Sequence, residues 1–352
     1  MDRYIGLDGH SQSCTIRVLT PTGKEVGRQV VETNGAALLQ AVRAIPGAKH
    51  LCLEEGMQSG WLYELLVNEV DEIVVTIPTR RFGCKDDARD ALELAEGLRT
   101  GAIKRRVYKK CGPYSELRAA VRNYVLLTRD TTRAKNRLKA LYLSQAIRSP
   151  GDEVYQAGTH EQWEKRLPPP QRESAKAIYQ QVESLMELRS AAEDRLLEAS
   201  KAHRIVKVLS TAPGIGPIRS AQIVATVVTP HRFRTSRQFW SYCGLAIVTR
   251  SSSDWLPGPN GWVRSKTYQT RGLNWNRHPM LKAVFKGAAH LIATRMTSHP
   301  LHVAFKKLID GGMKPSVAEV TLARRLAATI LAMWKHEEVY DPARHRSTIA
   351  QT

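Results

Sequence analysis

Four carboxylates stand where strand ends or a helix start would aim them at one point. Asp8 closes the apolar run Tyr4-Ile5-Gly6-Leu7-Asp8, and Glu54 closes a second, Leu51-Cys52-Leu53-Glu54. Asp87 and Asp90, in Lys85-Asp86-Asp87-Ala88-Arg89-Asp90-Ala91, are three residues apart and share one face if the segment opens a helix. Converging acids supply the hard oxygen donors that divalent cations such as Mg²⁺ take, and paired ions can activate an attacking oxygen and stabilise a leaving one in phosphoryl transfer. Taken singly, each acid also has a structural explanation: Asp87 and Asp90 favour a helix N-terminus, and Asp8 can cap a turn. Glu55 and Asp86 compete with Glu54 and Asp87 for the same places, and periodicity leaves both choices open.

The elements that must position these acids follow from hydrophobic periodicity. Short β-branched runs place strands at about 3–8, 13–20, 25–32, 49–54 and 72–77, with helices near 35–45 and 58–69 and a third from about Asp87 past Leu98. Three consecutive strands followed by alternating helix and strand is the order of an α/β ribonuclease-H-like domain, in which the fourth strand lies beside the first and brings Asp8 near Glu54. After Gly112-Pro113 one long helix pattern runs from Ser115 to Ile147. Arg118, Arg122, Arg129, Arg133 and Arg137 fall on about a third of its circumference, a basic stripe that reads either as a nucleic-acid contact or as a solvated face. Beyond Pro168-Pro169-Pro170, residues Ile178, Val182, Leu185, Ala192, Leu196 and Ala199 alternate in heptad fashion, interrupted by Arg189, which suits an antiparallel helical pair or a dimer contact. A mainly helical part follows about Ile205. Within it, Pro213-Gly214-Ile215-Gly216-Pro217 reads either as a helix-hairpin-helix turn, with Gly214 and Gly216 letting backbone approach a phosphate, or as a tight helix connection. The expected domains are 1–147, the catalytic α/β part with its long basic helix; 148–205, a helical coiled-coil linker; and 206–352, a mainly α DNA-binding part.

Charge separates along the chain. The net charge is +20, yet residues 1–100 hold 11 Lys/Arg against 15 Asp/Glu (net −4), leaving 42 against 18 (net +24) for the remainder. Solubility does not require acids and bases to be segregated, so the basic part points to a polyanionic partner whose condensed counterions it displaces. Cys14, Cys52, Cys84, Cys111 and Cys243 are widely spaced and form no CxxC pair, which suits reduced thiols in a cytoplasm and indicates neither a zinc site nor a disulfide framework. No run approaches 18 apolar residues and no leader pattern opens the chain, so membrane insertion and secretion are not expected.

These motifs together resemble the bridge-RNA-guided DEDD transposases of insertion sequences, whose N-terminal domain looks like the RuvC resolvase. The resemblance rests on Tyr4-Ile5-Gly6-Leu7-Asp8, Leu53-Glu54-Glu55-Gly56 with Trp61-Leu62-Tyr63-Glu64, and Lys85-Asp86-Asp87-Ala88-Arg89-Asp90-Ala91, and later on Pro213-Gly214-Ile215-Gly216 and Arg237-Gln238-Phe239 running into Cys243-Gly244-Leu245. It implies a RuvC-like domain in which Asp8, Glu54, Asp87 and Asp90 hold Mg²⁺, and favours Glu54 over Glu55 and Asp87 over Asp86. It also implies a nucleophilic serine a few residues after the Gly-Leu pair, which ungapped placement puts at Ser252, following Arg250 and flanked by Ser251 and Ser253. By the same resemblance the partners are double-stranded donor and target DNA, a structured guide RNA from the element, and other protomers in a dimer or tetramer. The sequence departs from the family pattern at an apparent insertion, 254–269, rich in Pro and Gly and carrying Trp255 and Trp262. Two other readings follow from the residues: a metal-dependent nuclease or junction resolvase in which water attacks, and a non-catalytic nucleic-acid-binding protein whose acids are structural.

Overall fold

Alternation of apolar residues builds a six-stranded sheet in the first part of the chain. The computed structural model describes residues 1–78, 87–107, 112–250, 255–259, 261–264 and 269–343, and its contacts divide the chain into Met1–Gly112 and Pro113–Thr352. In the first unit β1 (Asp2–Gly9), β2 (Ser13–Leu19) and β3 (Glu25–Glu32) run as an antiparallel meander. They are followed by α1 (Gly35–Arg43), β4 (Ala48–Glu54), α2 (Ser59–Leu66), β5 (Glu72–Thr76), α3 (Asp87–Arg99) and the two-residue β6 (Arg106–Val107). The strand order is β3-β2-β1-β4-β5-β6, with β4 parallel to both β1 and β5. This is the ribonuclease-H-like arrangement expected from the sequence.

Successive strand residues point to opposite faces, so each strand feeds two cores. Ile5, Leu7, Leu51 and Leu53 pack with Leu38, Val42, Leu62 and Leu66 of α1 and α2. The alternate residues Tyr4 and Cys52 join Val74, Leu94, Leu98 and Ile103 on the α3 side. Gly6 lies on that second face, where a Cβ would come within 1.8 Å of the Ala91 carbonyl oxygen and 2.8 Å of the Ala95 nitrogen. Glycine at this position lets the α3 backbone lie directly on β1.

The second unit begins with α4 (Ser115–Ser144), which ends three residues before the expected Ile147. It packs along α6 (Pro169–Lys201). The Thr131 hydroxyl donates to the Leu185 carbonyl and Arg137 Nη1 donates to Gln181 Oε1 at 3.0 Å, so one helix rises as the other descends and the pair is antiparallel. Sequence reading attaches α4 to the catalytic domain, whereas its packing partners are here, in the unit that starts at Pro113. Of the heptad residues, Val182, Ala192 and Leu196 are buried, while Ile178, Leu185 and Ala199 are half-buried and Ala175, Tyr179 and Ser200 fill the seam. Between the helices lie a short 3₁₀ turn, Glu153–Tyr155, and α5 (His160–Glu164), which close a small core around Tyr142, Tyr155, Trp163 and Tyr179.

A larger core gathers α7 (Arg204–Ser210), α8 (Pro217–Val227), α9 (Ser236–Tyr242), α10 (Pro279–Arg295), α11 (Pro300–Asp310) and α12 (Pro315–His336) around Phe239, Phe285 and Leu326. Described residues of the apparent insertion, 254–269, form strands. β7 (Ile247–Arg250) pairs with β10 (Gln269–Leu273), and β8 (Trp255–Gly258) with β9 (Gly261–Arg264) in a hairpin that exposes Trp255 and Trp262. Among the described residues no helix is long and apolar enough to cross a membrane. Cys14, Cys52 and Cys243 are free and buried.

Candidate active site

The first unit brings all four predicted acids to one end of its sheet. Leu7 is in register with Leu53, so the residues that follow them, Asp8 and Glu54, close neighbouring parallel strands. By alternation both share the face of Gly6 and Cys52, which α3 covers. Asp87 and Asp90 form the first turn of α3, and the close approach at Gly6 sets that turn over the end of β1. Arg17 of β2 locks the same turn. Its buried side chain pairs with Glu25 Oε1 at 2.8 Å and donates from Nε to the Ala88 carbonyl at 3.2 Å. A cavity of about 240 Å³ opens beside the cluster, with Asp8, Glu54 and Glu55 in its lining.

The electrostatics follow from this convergence. Asp8 has only 14% of its side chain exposed, and burial raises its carboxyl from 3.8 to about 6. The charges of Asp87, Asp90 and Glu54 push the same way, while His10 opposes them. At Asp8, then, three further acids bear on a buried fourth, with His10 acting against them. His10 reaches both sides: Nδ1 lies 3.6 Å from Asp8 Oδ1 and Nε2 lies 3.4 Å from Asp87 Oδ1. Ligand atoms of Asp8, His10 and Asp87 all lie within 4.8 Å of one another, close enough to share one ion. An oxygen-rich donor set of this kind fits a hard divalent cation, to which His10 adds a nitrogen donor.

His10 escaped the sequence reading. Its only local signal is a place two residues beyond Asp8, in the turn between β1 and β2. Of the competing neighbours, Glu54 and Asp87 bear on Asp8, and Glu55 follows the strand with its backbone N–H donating to the Thr76 carbonyl at 2.7 Å. Asp86 lies outside the described residues.

The remaining predicted sites belong to the second unit. Ser252, with Ser251 and Ser253, lies outside the described residues, and Arg250 closes β7 just before them. In the turn between α7 and α8, Gly214 adopts φ +69°, and a Cβ there would meet the Ala288 carbonyl oxygen of α10 at 2.9 Å. Gly214 therefore serves a tight helix contact. Gly216 is different: it caps α8 with nothing near its missing Cβ, so that approach is open. Along α4, Arg122, Arg129, Arg133 and Arg137 are exposed and Arg118 is half-buried. Arg133 pairs with Asp130 at 3.1 Å and Arg137 with Gln181, so part of the stripe is engaged within the helical pair.

Comparison with known families agrees with this layout. A family model of DEDD transposases matches residues 5–146, and a second, described as the transposase IS116/IS110/IS902 family, matches residues 206–259. Together they take in more than half of the 352 residues, all four acids and Ser251–Ser253. No curated protein matches the chain.

Proposed function

Because the chain belongs to the IS116/IS110/IS902 family of DNA transposases, we propose that it cuts and rejoins double-stranded DNA through a serine–DNA phosphoester. In this reading Asp8, Glu54, Asp87 and Asp90 hold Mg²⁺ and Ser252 is the nucleophile. The observation that carries it is the convergence of four acids at one sheet end, with Asp8 pushed up to about 6 by burial and by its neighbours. When bound, the cation supplies charge neutralisation at the phosphoryl oxygens, worth several kcal/mol of barrier. The protein's own groups do the rest. Asp8 and Glu54 fix the donor positions from the rigid strands, the first turn of α3 adds Asp87 and Asp90, and His10 steadies Asp8 and Asp87. The Ser252 Oγ loses its proton and bonds to phosphorus as the P–O bond to one strand breaks. The departing strand oxygen takes up a proton to become a hydroxyl, and reversal of these steps with a new strand end restores the backbone without external energy. The proposal includes a structured guide RNA held through its backbone while pairing supplies specificity, and assembly of protomers as a dimer or tetramer.

The test is a denaturant-resistant protein–DNA adduct formed with Mg²⁺, element RNA and labelled donor and target DNA. The expected result is an adduct that disappears in Ser252→Ala and persists in Ser251→Ala and Ser253→Ala. Metal-dependent cutting without adduct, undiminished when all three serines are replaced, would establish attack by water instead.

The carboxylate cluster makes a second prediction, on pH. A folded pKa of about 6 against the ordinary 3.8 means that the folded chain binds extra proton between those values. The contribution of Asp8 to stability therefore falls as pH rises through that window and stays low above it. A divalent cation favours the ionised cluster and competes with protons. Mg²⁺ is thus expected to raise Tm clearly at about pH 8 and hardly at all at about pH 5, as read by calorimetry. An equal shift at both pH values would show that the cation binds elsewhere.

A further inference from the structure

A second candidate site lies in the other unit. An open cavity of about 830 Å³ is lined by Arg232, Arg234, Tyr242, Asn274, Asn276 and Arg277, among others, and no carboxylate lines it among the described residues. Neither Arg234 nor Arg277 has a carboxylate partner among the described residues. Arg277 donates from Nη1 to the Asn274 carbonyl at 3.3 Å, while its buried Nε finds no acceptor there. Arg232 stacks over the Tyr242 ring at 4.7 Å, and Arg277 over Trp275 at 5.1 Å, so both guanidinium planes are held in place. His278, which stands at the N-cap of α10 and also lines the cavity, has its imidazole pKa lowered by burial and then by the nearby charges of Arg129 and Arg232. The positive end of the α10 dipole thus lies at the edge of the cavity.

This clustering is built in, not incidental. Gly244 has φ +70°, and a Cβ on it would come within 2.1 Å of Arg277 Cδ. The Gly-Leu pair of the C-terminal motif therefore makes room for the Arg277 side chain. Grouped guanidinium ions repel one another, and an anion among them relieves that cost. Planar, pre-oriented guanidinium groups flanked by amide side chains suit the paired oxygens of a phosphate.

We propose that this cavity binds the phosphodiester backbone of a nucleic acid, with Arg232, Arg234 and Arg277 as the phosphate contacts. The proposal rests on the reading of nucleic acid as substrate but not on the identity of the nucleophile. β7 leaves the rim of the cavity at Ile247, after Ala246 accepts the Asn274 N–H at 3.0 Å, and ends at Arg250. Residues 251–253 follow β7 directly in the sequence.

The full-length protein is titrated in EDTA with a labelled duplex carrying the element end, and in parallel with an RNA hairpin. The Arg234→Gln/Arg277→Gln variant is expected to bind about tenfold or more weakly, and to reduce the salt slope of log Kd by about two, one for each lost phosphate contact. Replacing single phosphates by neutral methylphosphonates should weaken the wild type at one or two positions and leave the variant unaffected there. A loss confined to one polymer identifies which backbone is held. Arg234 is exposed, so Arg234→Gln alone tests the point if the double variant fails to fold. An unchanged slope and methylphosphonate pattern in a folded variant overturns the proposal while the wild type still forms its serine adduct. A wild type that binds neither polymer overturns the transposase reading itself.

Discussion

Asp8→Asn is expected to abolish strand cutting without weakening the fold. The substitution keeps the shape of the side chain and removes one oxygen donor and one charge from the cluster. If the bound cation is worth several kcal/mol of barrier, cutting falls on the order of 10³-fold or more. Stability moves the other way. Burial and three neighbouring acids raise Asp8 to about 6, so its ionised form strains the metal-free protein at neutral pH. A neutral amide relieves that strain, and Tm in EDTA should stay level or rise. Loss of cutting with an unchanged or higher Tm marks an acid kept for chemistry. If cutting survives, or if Tm falls sharply, the acid is structural and the non-catalytic reading gains.

Gly6→Ala is expected to have the largest effect on the first unit of any single methyl group. The added carbon would sit 1.8 Å from the Ala91 carbonyl oxygen, and because the obstacle is backbone, no rotamer change relieves it. Either α3 lifts off β1, opening the contacts of Leu94 and Leu98 with Cys52 and Val74, or the strand shifts. A cost on the order of 3 kcal/mol or more follows. Both responses carry Asp87 and Asp90 away from Asp8, so cation binding should fail with the fold. Hydrogen exchange of β1 and α3 peptides reads the effect directly: protection should drop there while α10 and α12 keep theirs. Unchanged protection in β1 would mean that the contact yields without cost.

Much of this arrangement was legible in the residues because it is local. Alternation placed the five long strands, and the runs ending in Asp8 and Glu54 already implied acids at strand ends. What escaped depends on contacts between distant segments. His10 acquires its place only when α3 returns over β1, and Gly6 shows its purpose only against Ala91 and Ala95. Arg277 lies some forty residues beyond Arg232 and Arg234, so no window joins the three. Pro257, Gly258 and Gly261 hid the β8–β9 hairpin, whose Trp255, Trp262 and Val263 are residues that strands favour. The serines lie outside the described residues, and their placement still rests on the motif.

The antiparallel pair of α4 and α6 restricts how this protein can change length. α4 spans 30 residues, about 45 Å at 1.5 Å per residue. Its register against α6 is tied at Thr131 with Leu185 and at Arg137 with Gln181. Removing residues from one helix alone slides these ties out of step and turns the buried stripe to solvent. Removing about seven from each, two helical turns, nearly preserves the stripe and draws the core around Trp163 closer by roughly 10 Å. Among relatives, insertions and deletions in this region should therefore come as matched pairs, one on each side of the intervening loop, so that the length of the arm is inherited as a single quantity written in two places.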